Sequence, residues 1–168
     1  ERHESLRTTI TEIDGRACLR VHHGMTIPVR IVDLAASGIG DARVRLEAEA
    51  SREAREPFDI ERGPLIRIAL VHISGLEHVL LLTMHHMVSD EWSMGVLFDE
   101  LSEAYAANLA GRPPALRTLP IQYADFAIWQ RERLTGPSLD VQLGYWREHL
   151  AGKLPVLSLP TDRPRPSI

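Results

Sequence analysis

Two adjacent histidines carry the chemistry that can be read from this chain. In Met84-His85-His86-Met87-Val88-Ser89-Asp90 an apolar, strand-like run ends on a pair of imidazoles, with a carboxylate four residues beyond the second. Imidazole titrates near ~6.5 and an α-amino group near ~8, so such a ring can trade protons with an attacking amine at neutral pH. That suits transfer of an acyl group from a thioester to an amine. The ring either accepts the proton of the attacking ammonium, or holds the amine and stabilises the charged tetrahedral intermediate through a hydrogen bond. The sequence leaves both roles open. Successive strand residues point to opposite faces, so if a strand continues through both histidines, one lines a cavity and the other packs. Spacing does not say which.

Asp90 has two readings, as the acid or orienting member of a triad and as a structural group. Ser89 or Asp90 is placed to cap the helix that follows, its side-chain oxygen accepting from backbone N–H groups that lack partners. A role as cap or as member of a buried ion pair is the favoured one. Ser93 lies a turn into that helix without a Gly-x-Ser-x-Gly context, so it is not read as a hydrolase nucleophile. His78, His85, His86 and Asp90 are close in sequence, yet neighbouring strand histidines diverge and neither a His-x-x-x-His pair nor cysteine ligands accompany them. No metal is expected.

The elements that position these residues follow from periodicity and turn chemistry. Residues 8–21 read as a hairpin about Asp14-Gly15, a dipeptide suited to the positive φ of a two-residue turn. Residues 29–34 form a second extended stretch. Residues 41–56 are rich in Ala, Glu and Arg, a helix that Pro57 stops. Residues 65–73 and 78–86 are strands joined by Ser74-Gly75-Leu76-Glu77, and the run Val79-Leu80-Leu81-Leu82 predicts that the second is central and covered on both sides. Met94, Leu97, Phe98, Leu101 and Tyr105 then recur at helical spacing until Gly111-Arg112-Pro113-Pro114. Strand, tight connection and helix therefore meet at residues 85–93. Two further helices are predicted, around 123–133 and 139–150, the second closed by Ala151-Gly152. Tyr123, Phe126 and Trp129 share a face of the first and are expected in the core. Residues 153–168 hold four of the eleven prolines and read as an extended linker.

Composition restricts the class. A 44% hydrophobic and 25% charged chain of 168 residues is an ordinary globular domain rather than a disordered or collagenous one. Its apolar runs are far shorter than the ~20 residues of a membrane helix, and no basic-then-apolar leader opens it. The lone Cys18 agrees with a reducing cytoplasm and reads as a small buried hydrophobe. Arg43, Arg45, Arg52 and Arg55 lie close together, but glutamates interleave with them and the net charge is −4, so a solvated helix face is favoured over a nucleic-acid surface. The chain opens at Glu1 rather than methionine and reads as a segment of something longer.

At residues 84–93 the sequence resembles the His-His-x-x-x-Asp core motif of condensation domains in nonribosomal peptide synthetases. Three other stretches agree in order and spacing: Arg2-His3-Glu4-Ser5-Leu6-Arg7-Thr8 looks like the family's second motif, Tyr123-Ala124-Asp125-Phe126-Ala127-Ile128-Trp129 like its fourth, and Leu159-Pro160-Thr161-Asp162-Arg163-Pro164 like the segment leading into its second half. The resemblance implies an α/β fold of the α+β-sandwich kind, a chloramphenicol-acetyltransferase-like half-domain whose mixed sheet is covered by helices. Residues 1–152 would be the N-terminal subdomain without the family's first motif, and 153–168 a Pro-rich linker toward a C-terminal subdomain.

In the family the active site lies in a tunnel between two such subdomains, entered from each end by a phosphopantetheine arm of a carrier protein. Residue by residue, the resemblance implies that His86 faces the tunnel and serves the amine while His85 packs behind it. Asp90 would be structural and paired with an arginine, with Arg2 as the matching candidate. Arg7 and Ser93 would support the site, although Arg7 also reads as a solvated charge, and Trp92 and Glu91 are candidates for the tunnel wall. Glu91 stands where the family has glycine. Glutamate is favourable in a first helical turn, so negative φ is expected there. The implied partners are upstream and downstream peptidyl carrier domains, an adjacent adenylation domain and the C-terminal subdomain, with no cofactor bound directly and substrates arriving on 4′-phosphopantetheine. The implied reaction is peptide-bond formation in the cytoplasm. Epimerisation or ester formation on the same fold is one alternative, and a noncatalytic half-domain or carrier-docking module another.

Overall fold

A computed structural model describes residues 1–155, 160, 162 and 163, without the side chains of residues 37 and 39. Most of the tail motif and of the expected linker therefore lies outside the described residues. The chain divides into two compact units, residues 1–124 and 125–168.

The first unit begins with a 3-10 turn, Glu4–Arg7, that feeds an antiparallel hairpin of β1 (Thr8–Ile13) and β2 (Arg16–Val21). Its two-residue turn places Asp14 at φ 51° and Gly15 at φ 72°, the pair of positive angles that matches strand twist. A three-stranded mixed sheet follows. In it β3 (Val29–Asp33) lies parallel to β4 (Ile66–Ser74), and β4 pairs antiparallel with β5 (Glu77–Met84). Helix α1 (Ile39–Arg55) makes the crossover between β3 and β4 and packs on one face of the sheet. The core is there: Leu34, Ala42, Val71 and Ile73 are buried, and Val32, Leu46, Val79 and Leu81 close around them.

The sheet order corrects one expectation. The middle strand is β4, and β5 is its outer neighbour among the described strands. Val79 and Leu81 join the core under α1, whereas Leu80 is exposed. An unbroken apolar run states that both sides of a strand are apolar, not that both are covered.

Gly63, in the segment before β4, sets where that strand starts. It has φ +65°, its N–H donates to the Asp59 carbonyl at 2.8 Å, and a Cβ there would lie 2.9 Å from Cγ2 of Thr9, which is fully buried. Gly63→Ala is expected to destabilise the chain by about 1–3 kcal/mol, since an L side chain is strained at this angle and Thr9 has nowhere to retreat. In urea unfolding the midpoint should fall at unchanged slope. A wild-type midpoint would contradict the strain.

Helix α2 (Glu91–Leu109) completes the first unit, and α3 (Tyr123–Arg133) begins at its end. The second unit holds the rest of α3 together with α4 (Gly136–His149). The aromatic face of α3 is not core in this chain, because Tyr123, Phe126 and Trp129 are all exposed. Helical periodicity identifies an apolar face but not what covers it. Along α2, Phe98, Leu101 and Tyr105 are exposed as well.

Candidate functional site

The β5 strand stops at Met84, and residues 86–88 form a turn. His85 carries the ladder one step further, its N–H donating to the Leu65 carbonyl at 2.9 Å, and then organises the turn. Its ring Nδ1 accepts from the Met87 N–H at 3.1 Å. Its carbonyl accepts from the Val88 N–H at 3.1 Å and from the Ser89 hydroxyl at 3.3 Å. The ring is half-buried and meets Phe58 edge to face, with centroids 5.8 Å apart and planes at 80°. Val88 anchors the turn by burial. His86, on the crest, is exposed. The two rings are thus separated by a turn that His85 itself builds, not by the alternation of a continuing strand.

Asp90 is the N-cap of α2. Its Oδ1 accepts from the Ser93 N–H at 2.8 Å and from the Ser93 hydroxyl at 2.5 Å, while the Asp90 N–H donates to Ser93 Oγ at 3.3 Å, a reciprocal capping box. The Ser93 hydroxyl, then the Ser93 N–H, and to a smaller degree the charge of His86, hold the Asp90 carboxyl below the usual carboxylate range. The carboxylate therefore lies within electrostatic reach of His86, with its nearer oxygen occupied by Ser93. Glu91 opens the helix without positive φ, and glutamate there suits the helix dipole.

The cap makes a prediction with a definite sign. A carboxyl whose folded pKa is lowered contributes stability that is complete above its unfolded value and is lost as pH falls through the folded one. Asp90→Ala should lower the melting temperature at pH 7 and flatten its acid dependence, whereas Asp90→Asn, which keeps an acceptor for Ser93, should retain most of the neutral-pH stability. Equal melting of the alanine and asparagine variants would dismiss the cap as a support of the turn.

Arg2 does not pair with Asp90. Its guanidinium binds Glu100 in the middle of α2, with Nη2 2.9 Å from Oε1, and Nη2 also donates to the Arg117 carbonyl at 2.5 Å. His3 adds a contact of 2.7 Å from Nε2 to Glu100 Oε2. Hydrogen bonds from Arg2, opposed by burial and aided by His3, keep Glu100 below its ordinary range. With Oδ1 of Asp90 already engaged by Ser93, the arginine meets a carboxylate about three turns further along the helix. Arg7 is not a solvated charge: it donates to the His22 carbonyl and, at 3.1 Å, to Glu4, tying the first turn to the end of β2. Trp92 is 83% exposed and lines a cavity of about 200 Å³ with His3, Leu6, Met84, Val88 and Leu97.

Periodicity and motif spacing missed Phe58, Glu100 and the charges around Glu53. Glu53 is buried under α1 and receives Arg30 at 2.6 Å, Arg52 at 3.0 Å and Arg67 at 3.2 Å. One signal was present in the sequence: Arg67 falls on the same strand parity as Ala69, Val71 and Ile73, and a charge on a buried face requires a partner. Among the described residues no cluster of three or more His, Cys, Asp or Glu side chains could hold a metal ion, and no helix is long and apolar enough to cross a membrane.

The profile of the family described as "Condensation domain" matches residues 1–167. The chain belongs to that family. The condensation domain is 46% identical over 167 residues to a linear gramicidin synthase of Brevibacillus parabrevis, covering 99% of this chain and 2% of the synthase. Among solved structures it is similar to the X-domain in its complex with OxyB from teicoplanin biosynthesis, at 34% identity and TM-score 0.81, covering 98% of this chain and 36% of the other. It is also similar to the epimerization domain from the third module of tyrocidine synthetase B, at 25% identity and TM-score 0.77, covering 95% and 36%. The condensation domain therefore has the chloramphenicol-acetyltransferase-like mixed α/β fold of these nonribosomal peptide synthetase relatives, and it spans about a third of the length of the solved ones.

Proposed function

We propose that the chain forms one wall of a peptide-bond-forming site and that His86 is its working imidazole. The observation that carries this reading is the turn at residues 85–88, where every hydrogen bond is made by His85 or its neighbours and the His86 ring is left exposed on the crest. An upstream carrier presents an aminoacyl or peptidyl thioester on its 4′-phosphopantetheine arm. The amine of a downstream carrier-bound amino acid attacks the carbonyl, the tetrahedral intermediate collapses, and the thiol of the first arm leaves with the proton. His86 accepts the ammonium proton or holds the amine in line. Asp90 and Ser93 set the start of α2 beside it, and Arg2 and Arg7 secure the N-terminal segment. Trp92 and Glu91 are placed at the rim of the same turn.

Such a site needs a second wall. Val29, Ile31 and Leu80 lie exposed on the face of the sheet opposite α1, an apolar surface that a C-terminal subdomain would cover. The partners proposed are that subdomain, the two carrier domains and an adjacent adenylation domain, in the cytoplasm, with no metal or diffusible cofactor. The test is single-turnover condensation between two loaded carriers in a synthetase containing this chain. Dipeptide is the expected product. Exchange of the α-proton with solvent deuterium without amide formation would instead indicate epimerisation, the activity named for one structural relative.

A second reading has a specific observation behind it, since the teicoplanin relative is solved bound to another protein. On that reading the chain is a noncatalytic docking module. Stable binding of a carrier or partner protein with no dipeptide formed would favour it.

A further inference from the structure

We infer that Phe58 and Arg67 are positioning residues that set the ring of His85 and, through it, the turn presenting His86; this rests on His86 being the working imidazole. The guanidinium of Arg67 is held on all three nitrogens. Nε donates to Glu53 Oε2 at 3.2 Å, Nη2 to the carbonyls of Glu53 at 2.8 Å and Glu56 at 2.7 Å, and Nη1 to the Pro57 carbonyl at 3.3 Å. It therefore closes the C-terminus of α1, where unpaired carbonyls and the helix dipole favour a cation. Its central carbon lies 4.0 Å above the Phe58 ring, so the phenyl is clamped by a cation that cannot swing away. Phe58 in turn meets His85 edge to face.

His85 converts that packing into backbone geometry. Its Nδ1 accepts the Met87 N–H, so Nδ1 carries no proton and the neutral ring holds its hydrogen on Nε2. Rotating the ring or moving the proton would release Met87 and loosen the turn. A continuous series of contacts thus runs from the end of α1 through Arg67, Phe58 and His85 to the peptide immediately after His86.

The tautomer can be read in the chain itself by multiple-bond proton–nitrogen spectra of the imidazoles. Wild-type His85 is expected as the Nε2–H form with Nδ1 unprotonated, and Arg67→Met or Phe58→Leu should give a mixture of tautomers. A wild-type Nδ1–H form overturns the inference outright, and that measurement needs no variant to fold. In the condensation assay Arg67→Met should lower kcat by about tenfold with KM for both carriers nearly unchanged, as a small misplacement of a reacting group does. Arg67→Lys, which keeps the charge but loses the fork, should recover part of it. Folded Arg67→Met and Phe58→Leu variants with wild-type kcat and a single tautomer also overturn it. His86→Ala in the same assay separates the two claims. If that variant remains active, the reading of His86 fails. If it is inactive while the Phe58 and Arg67 variants behave as wild type, only the positioning role fails.

Discussion

Replacing His86 by alanine is expected to lower single-turnover dipeptide formation by about 10²–10⁴-fold, the usual contribution of a positioned acid–base group, while the folding midpoint of the chain stays where it was. The two halves of this expectation have separate causes. The ring is exposed on a turn whose hydrogen bonds belong to His85, so its loss should change stability by no more than about 0.5 kcal/mol, as for other surface substitutions. The chemistry, by contrast, has no second imidazole to turn to: the His85 ring packs on Phe58, and its Nδ1 is committed to Met87. His85→Ala should therefore lose both stability and rate. His86→Gln distinguishes the remaining roles. A glutamine can hold an amine by a hydrogen bond but cannot accept its proton, so substantial recovery at every pH marks a positioning role, and a rate that stays low marks proton transfer. Dipeptide formed at the wild-type rate by His86→Ala would remove this residue from the mechanism.

The parts of this fold that were legible in the sequence are those fixed by local chemistry. Asp14-Gly15 announces its turn because few residues accept two positive φ angles, and α1 shows itself through an Ala, Glu and Arg composition stopped by Pro57. Asp90 as a cap is equally local, since an N-cap and its N3 residue are three positions apart. What the sequence did not disclose is long-range choice. Arg2 has several carboxylates within reach along α2, and only the fold shows that Glu100 is the one it meets. The place of β5 at the side of the sheet, and the exposure of Tyr123, Phe126 and Trp129, depend on which surfaces meet, and apolar periodicity is silent on that. Strand alternation predicts that His85 and His86 part company; the structure achieves it with a turn, because Leu65 accepts the last ladder bond from His85 and the chain then folds back.

Glu53→Ala is expected to be the most destabilising change outside the apolar core, by about 2–3 kcal/mol. Removing one member of a buried ionic cluster leaves its partners uncompensated, and for fully buried pairs the loss is ~3–5 kcal/mol. Here the value is smaller because Arg30 and Arg52 are partly exposed and can rehydrate, while Arg67, the more buried of the three, keeps its bonds to main-chain carbonyls. The same cluster gives a pH dependence. Burial pushes the Glu53 carboxyl up, but the hydrogen bonds from Arg30 and Arg67 and the charges of Arg30 and Arg52 outweigh it, and the carboxyl lies below the ordinary glutamate range. Its contribution is therefore complete above the unfolded value of ~4.3 and is lost as pH falls through the lower folded value. Glu53→Gln keeps the shape and removes the charge, so it should be less stable than wild type at pH 7 and converge with it as the solution is acidified below pH ~4. Parallel stability curves for the two proteins from pH 7 down to that range would mean that Glu53 contributes by packing rather than by charge. The arginines would then be held by the helix carbonyls alone.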